Sequence, residues 1–254
     1  MEALAYYLFL GGVMKTEINI FHLQRLGGVP LFLHPFDDPD TLLKLDANTV
    51  IAGRYGREPR PESVTLLRNE LYRLIELAVK NWISEKRFIP RFLISSLLFL
   101  VVYFFLSLVI RDPIPMIDEL GGSLAASFFV YYLLSRRDSG SKAATAKRIA
   151  LRERVDEIYF EHDSLVEEAE ELLLRLEAED TRQLAESLAD AVEFSVTGEK
   201  ERLDQLVSYL RRRFASRAYR KQEKALRKRK QRQSVKLNNK LDLPLFGVYR
   251  ALKR

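Results

Sequence analysis

The chain has 254 residues, 41 Lys/Arg and 35 Asp/Glu, a formal net charge of +6, and no cysteine. The missing thiols exclude a disulfide framework, thiol catalysis and cysteine-ligated metals. The small net charge hides a segregation. Residues 151–210 hold 6 Lys/Arg against 18 Asp/Glu, and residues 211–254 hold 17 against 2. An acidic block is followed by a basic one.

Residues 1–13 are apolar but lack a basic flank and are too short to span a bilayer; Met14 is a second candidate start. Residues 1–61 are expected to form a small α+β or irregular segment. The partial period of two over 16–23 predicts a strand, and 29–33 predicts a short edge strand because Pro30 cannot donate a ladder bond. The glycines and prolines from Gly27 to Pro61 forbid a long helix there. His22 and His34 have no third ligand at a recognisable metal-binding spacing, and an enzyme is open only through His22, His34, Asp37 and Asp38, which lie close in sequence. Residues 53–56 lack the Lys-Ser/Thr of a phosphate loop.

Over 62–91 an amphipathic juxtamembrane helix is expected. Pro61 sits at its start, where proline is tolerated, and Val64, Leu67, Leu71, Leu74 and Ala78 recur at spacings of 3 and 4. Pro90 is expected to interrupt it.

The dominant feature is 92–135, read as a transmembrane hairpin. Span one, 92–110, is nineteen residues without a charge; at about 1.5 Å per residue it reaches roughly 28 Å, the hydrocarbon thickness. Span two, 114–135, has sixteen uncharged residues at 120–135 and reaches membrane length only with Asp118 and Glu119 in its first turns. The break at 111–115 contains Pro113 and Pro115 and predicts antiparallel neighbours. Small residues four apart, Gly121/Ala125 and Gly122/Ala126, predict close packing against Ser95 and Ser96. Lys80, Lys86, Arg87 and Arg91 precede span one. Arg136, Arg137, Lys142, Lys147 and Arg148 follow span two. Those flanks belong on the cytosolic side, so both termini are expected inside an inner (cytoplasmic) membrane.

From 142 to 232 an antiparallel helical or coiled-coil region is expected. Leu151, Val155, Ile158, His162, Leu165, Ala169, Leu172 and Leu176 alternate spacings of 4 and 3, a seam with a period of 3.5. This predicts self-association, with His162 as a polar interruption fixing register. The last helix ends in Arg211, Arg212, Arg213, Arg217, Arg220, Lys221, Lys224, Arg227, Lys228, Arg229, Lys230 and Arg232, against one acid, Glu223. These are the candidate lipid- or polyanion-binding residues. Residues 233–254, with Pro244 and Gly247, read as a basic tail and a poor helix.

The expected fold class is therefore mainly α: a two-helix transmembrane hairpin, a cytosolic helical/coiled-coil C-terminal region and a small N-terminal α+β or irregular segment. No catalytic, cofactor or metal constellation is present, so a non-enzymatic role is expected. The leading expectation is an integral membrane scaffold or adaptor that self-associates through the seam, a homo-oligomer or a binder of a helical protein partner. Its basic tail would contact anionic lipid, with RNA or a ribosome as the lesser partner. The alternative is an oligomeric cation channel or transporter subunit with Asp118 and Glu119 at an acidic outer mouth.

Overall fold

A computed structural model describes residues 16–46, 48–109, 117–190, 200–227, 237–238 and 240–253, and only the backbone of Ala189, Asp190 and Arg227. The described residues are mainly helical, with one small sheet among them. It divides into two compact units, one built from Met1–Asp38, Leu45–Glu70 and Arg154–Arg254, the other from Pro39–Lys44 and Leu71–Glu153.

The first, an α/β unit, is organised by a four-stranded sheet in the order β2-β1-β3-β4. Strand β1 (Thr16–Gln24) lies where the period of two placed it, and β2 (Pro30–Leu33) is an edge strand, as its proline requires. The two pair antiparallel, Phe21 opposite Leu33 and Gln24 opposite Pro30. Gly27 and Gly28 carry φ of 92° and 78° in the turn between them, a region open to glycine. β1 also pairs in parallel with β3 (Thr49–Tyr55), Ile18 opposite Ile51. β3 pairs in parallel with β4 (Tyr159–His162), Gly53 opposite Phe160. A Cβ on Gly53 would collide with the Phe160 ring, so the glycine is what lets that ring lie over its neighbour strand.

One sheet face, carrying Phe21, Leu23, Leu31 and Leu33, forms the main core with helices from the far end of the chain. These are α5 (Ser164–Ala178), α6 (Thr181–Asp190), α7 (Lys200–Arg213), α8 (Arg217–Arg227) and α9 (Leu243–Leu252). Asp163 caps α5 by accepting from Leu165 N at 2.9 Å, and its own N–H donates to Tyr55 O at 2.9 Å.

β4 corrects the expected seam. The helix α4 (Lys142–Asp156) carries Leu151 and Val155 and then stops; Ile158 precedes the strand, His162 lies in it, and Leu165, Ala169, Leu172 and Leu176 are buried on α5. His162 is half exposed, its Nε2 3.1 Å from Glu167 Oε2. No continuous coiled-coil helix exists at 142–178, because ladder bonds to β3 and the Asp163 cap outweigh the helix that the 3.5 period suggested. The two flanking helices each bury their own stripe.

The C-terminal stretch is the second correction. Residues 243–252 are not a loose tail but α9, buried almost along its length. Pro244 sits in the first turn, where its missing N–H breaks no helical bond. Gly247 is a notch: a Cβ there would lie 2.7 Å from Leu176 Cδ1 and 2.9 Å from Leu188 Cδ2. The glycine that looked like a helix breaker is the condition for close helix crossing.

The second, helical unit contains α1 (Pro39–Leu43), the part of α2 (Pro61–Val109) from Leu71 onward, α3 (Ile117–Ser139) and most of α4. α2 begins at Pro61, as expected, but runs through Pro90 rather than stopping there. α2 and α3 pack antiparallel. Arg91 Nε donates to Asp138 Oδ2 at 2.7 Å, Ser127 Oγ donates to Ser95 O at 2.8 Å, and a Cβ on Gly122 would lie 3.1 Å from Leu106 Cδ1. Gly121 has open space beside it, so only one of the two predicted glycines faces the partner helix. α4 is held to α2 through Glu76, which accepts from Arg148 Nε at 2.8 Å and Arg152 Nη2 at 2.9 Å.

Candidate functional site

Two places hold the residues singled out by charge. In the α/β unit, Arg211, Arg212 and Arg213 end α7, exposed, where cations favour the helix dipole. On α8, Arg217, Arg220, Lys221 and Lys224 follow the spacing i, i+3, i+4, i+7 and share one exposed face around a shallow concavity. Arg227 is the last residue of α8, and Lys228, Arg229, Lys230 and Arg232 lie outside the described residues.

The basic face is a fixed ridge because the other side of α8 is anchored. Gln222 and Leu226 are buried, and the Tyr219 ring packs on Phe214 and Phe246 at centroid distances of 4.7 and 5.4 Å. The Tyr219 hydroxyl accepts from Asp242 N at 3.0 Å, while the Asp242 carboxylate accepts from Leu245 N at the start of α9. Arg25, in the β1–β2 turn, grips Asp242 with two bonds of 3.0 Å and Glu177 of α5 with one of 2.5 Å. Burial works against the Arg25 charge, yet Glu177 and Asp242 together raise its pKa. Arg54, which is buried, donates to Asn19 Oδ1 at 2.9 Å and also to Glu17 and Glu161, tying three strands together. Burial opposes its charge as well, and the two carboxylates again outweigh it.

In the helical unit, Asp118 and Glu119 lie in the first turn of α3. Asp118 is exposed. Glu119 is 2 % exposed, and neither carboxylate oxygen has a partner among the described residues. The two therefore do not form a matched exposed pair.

His22 and His34 are both buried, beside Phe32 and Phe36 at ring distances of 5.0 and 5.7 Å. Burial pushes His22 down to about 4 and lowers His34, where Asp37 and Glu70 partly oppose it. Among the described residues no group of three or more His, Cys, Asp or Glu could hold a metal. Glu170, fully buried on α5, accepts from Gln24 N at 3.0 Å with Arg57 Nε 3.4 Å away; burial raises its pKa against both.

Sequence reasoning did not see the Arg25–Asp242–Tyr219 latch or the Arg91–Asp138 bond. Each joins residues at least 23 apart in sequence, and lone charged residues carry no pairing signal. The nearest hint was a single arginine just after Pro90, at the foot of an uncharged run.

The chain matches no protein-family model, no curated protein resembles it significantly, and no solved structure is significantly similar to it.

Proposed function

We propose that the protein is a membrane-anchored, non-enzymatic scaffold. Its anchor is a two-span hairpin, 92–110 and 114–135, with both flanks on the cytosolic side of the inner membrane. The ridge of α8, with the end of α7, contacts anionic phospholipid headgroups. Exposure supports the first span: an 18-residue window of α2 has a mean hydropathy of 2.6 and is only 6 % buried. A soluble core helix of that composition would be covered.

The observation that carries the second span is topological. β3 and β4 are hydrogen-bonded neighbours, and everything from α2 to α4 lies between them in sequence. A chain that leaves one strand and returns to its neighbour must cross a membrane an even number of times. If α2 crosses, α3 must bring the chain back. α3 pays for its two acids by keeping them in the first turn, near the interface and the positive end of the helix dipole. The flanking charges then place both strands inside. Each cation at such a surface contributes about 1 kcal/mol and is screened by salt. Self-association through 151–176 no longer belongs to the reading, since those side chains are consumed by the fold.

The absence of cysteine makes the test clean. In vesicles of known orientation, Glu58→Cys and Glu157→Cys are expected to react with an impermeant maleimide from the same side, and Asp112→Cys from the other. Labelling of Glu58→Cys and Glu157→Cys from opposite sides would sink the hairpin. For the ridge, combined Arg217→Gln, Arg220→Gln, Lys221→Gln and Lys224→Gln is expected to lower salt-sensitive binding to anionic vesicles without detaching the anchor. A second reading, an oligomeric cation channel or transporter subunit, is favoured by the buried Glu119, whose carboxylate has no partner among the described residues. It predicts a conductance lost in Asp118→Asn with Glu119→Gln.

A further inference from the structure

Between α2 and α3 runs a groove of about 610 Å³, inside the range of roughly 300–1,000 Å³ typical of small-molecule sites. Its walls are apolar and largely aromatic: Phe88, Phe92, Phe99 and Leu100 on α2, Phe128 and Tyr131 on α3. Its depth comes from small side chains, Ser95, Ser96 and Ser127. Ser127 spends its hydroxyl on Ser95 O, while Ser95 Oγ is buried with no partner among the described residues.

The groove's own lining carries no charge, and a charged cluster lies just beyond one end of it. Arg91 lies one helical turn from Phe88 and from Ser95, on the lining face. Its guanidinium is 3 % exposed and reaches across to Asp138 and, at 3.3 Å, to Ser135, one turn beyond Tyr131. Its Nη2 is buried and has no partner among the described residues. Around that end the sequence places Lys86, Arg87, Arg136 and Arg137 as further cations, all exposed, against two acids, Glu85 and Asp138.

We propose that the groove binds one acyl chain of an anionic glycerophospholipid, with the phosphate at the Arg91 end. The inference rests on the membrane-hairpin reading. A slot that is apolar along its length and positive at one end complements an amphiphile that is apolar along its length and negative at one end. A zwitterionic lipid matches the slot but not the excess of positive charge. The unfilled Nη2–H supplies a donor for a phosphate oxygen, and charge-assisted bonds of this kind are the strong ones. Asp138 has two roles here: it holds Arg91 across the helix pair, and it leaves one edge of the guanidinium unspent.

The experiment uses the full chain, reconstituted into vesicles of equal phosphatidylglycerol and phosphatidylcholine, extracted gently, and analysed for co-purifying lipid. Wild type is expected to retain phosphatidylglycerol about tenfold over phosphatidylcholine, equivalent to about 1.4 kcal/mol. Ser96→Phe, which fills the slot from a partly buried position, is expected to lower retention of both lipids. Arg91→Gln is expected to abolish the preference. Because that change also cuts the bond to Asp138, the pair Arg136→Gln with Arg137→Gln provides a second variant, and it is expected to reduce the preference with the helix contact intact.

Three outcomes overturn the proposal. One is retention of both lipids at the bulk ratio by protein that resists carbonate extraction. Another is selective retention that survives Ser96→Phe. The third is a disulfide-linked dimer of Phe128→Cys, which would seat a second copy in the groove. Full release by carbonate would instead remove the hairpin reading itself, and this inference with it.

Discussion

Leu173 on α5 and Leu108 on α2 are the same side chain placed in two settings: the first is 0 % exposed, the second 79 %. The contrast holds across the two units. In the α/β unit, Phe21, Phe246 and Leu210 are sealed between sheet and helices. In the helical unit, Phe104, Phe105 and Phe128 stand more than 60 % exposed, and what α2 and α3 share is a line of small residues, serine bonds and one arginine–aspartate bond. Apolar burial organises the first region. The second joins its two helices through polar contacts, the mode open to helices in the apolar surroundings proposed for it.

The largest test of that difference is a matched pair of truncations. Leu173→Ala is expected to lose about 2–5 kcal/mol of stability, as buried leucines do. Phe105→Ala, read by thermal unfolding in detergent, is expected to change stability by less than about 0.5 kcal/mol. Equal losses would mean that α2 is covered by protein, and the comparison would collapse.

The next effect is acid sensitivity confined to the α/β unit. His22 has a folded pKa of about 4 against an ordinary 6.5. The folded state therefore holds it neutral while the unfolded chain protonates first. Stability is complete above the unfolded value and falls as pH drops from about 6.5 toward 4, by at most roughly 3 kcal/mol. His22→Phe is expected to flatten that slope in urea titrations at pH 7 and pH 4.5; an unchanged slope would place the sensitivity elsewhere.

Smaller still is the notch under α9. Gly247→Ala forces a methyl toward Leu176 and Leu188, and overpacking of this kind costs about 1–3 kcal/mol. The smallest is the latch: Asp242→Ala is expected to cost about 1–2 kcal/mol and to speed proteolysis beside α9, with the proposed anchoring by α2 unaffected. A loss of membrane retention in either variant would show that the two regions are not energetically separate.

Much of this architecture was legible in the residues. The uncharged run of α2, the start at Pro61 and the Leu67–Leu71–Leu74–Ala78 stripe follow from local composition and period, as do the first two strands. The candidate sites were legible only as charges. That Arg217, Arg220, Lys221 and Lys224 form one fixed face depends on Tyr219 and Leu226 having somewhere to be buried, which no local pattern states. The acids placed at the outer mouth separate into an exposed Asp118 and a buried Glu119 for the same reason: burial is a property of neighbours.

By itself the sequence determined which side chains need an apolar environment, where helices can start, and that the chain carries no thiol and a segregated charge. Only the tertiary structure decided three things. The 3.5-residue seam is cut by β4, which pairs with β3 and leads into the Asp163 cap of α5, so the two halves of the seam are buried on separate helices. The stretch at 243–252 becomes a core helix, since Gly247 fits where Leu176 and Leu188 leave no room for a side chain. And the apolar helices become an excursion between two adjacent strands, since β3 pairs with β1 before it and with β4 more than a hundred residues after it. Pairing at long sequence separation is decided by the energy of the finished sheet and core, and a window of a few residues carries no record of it.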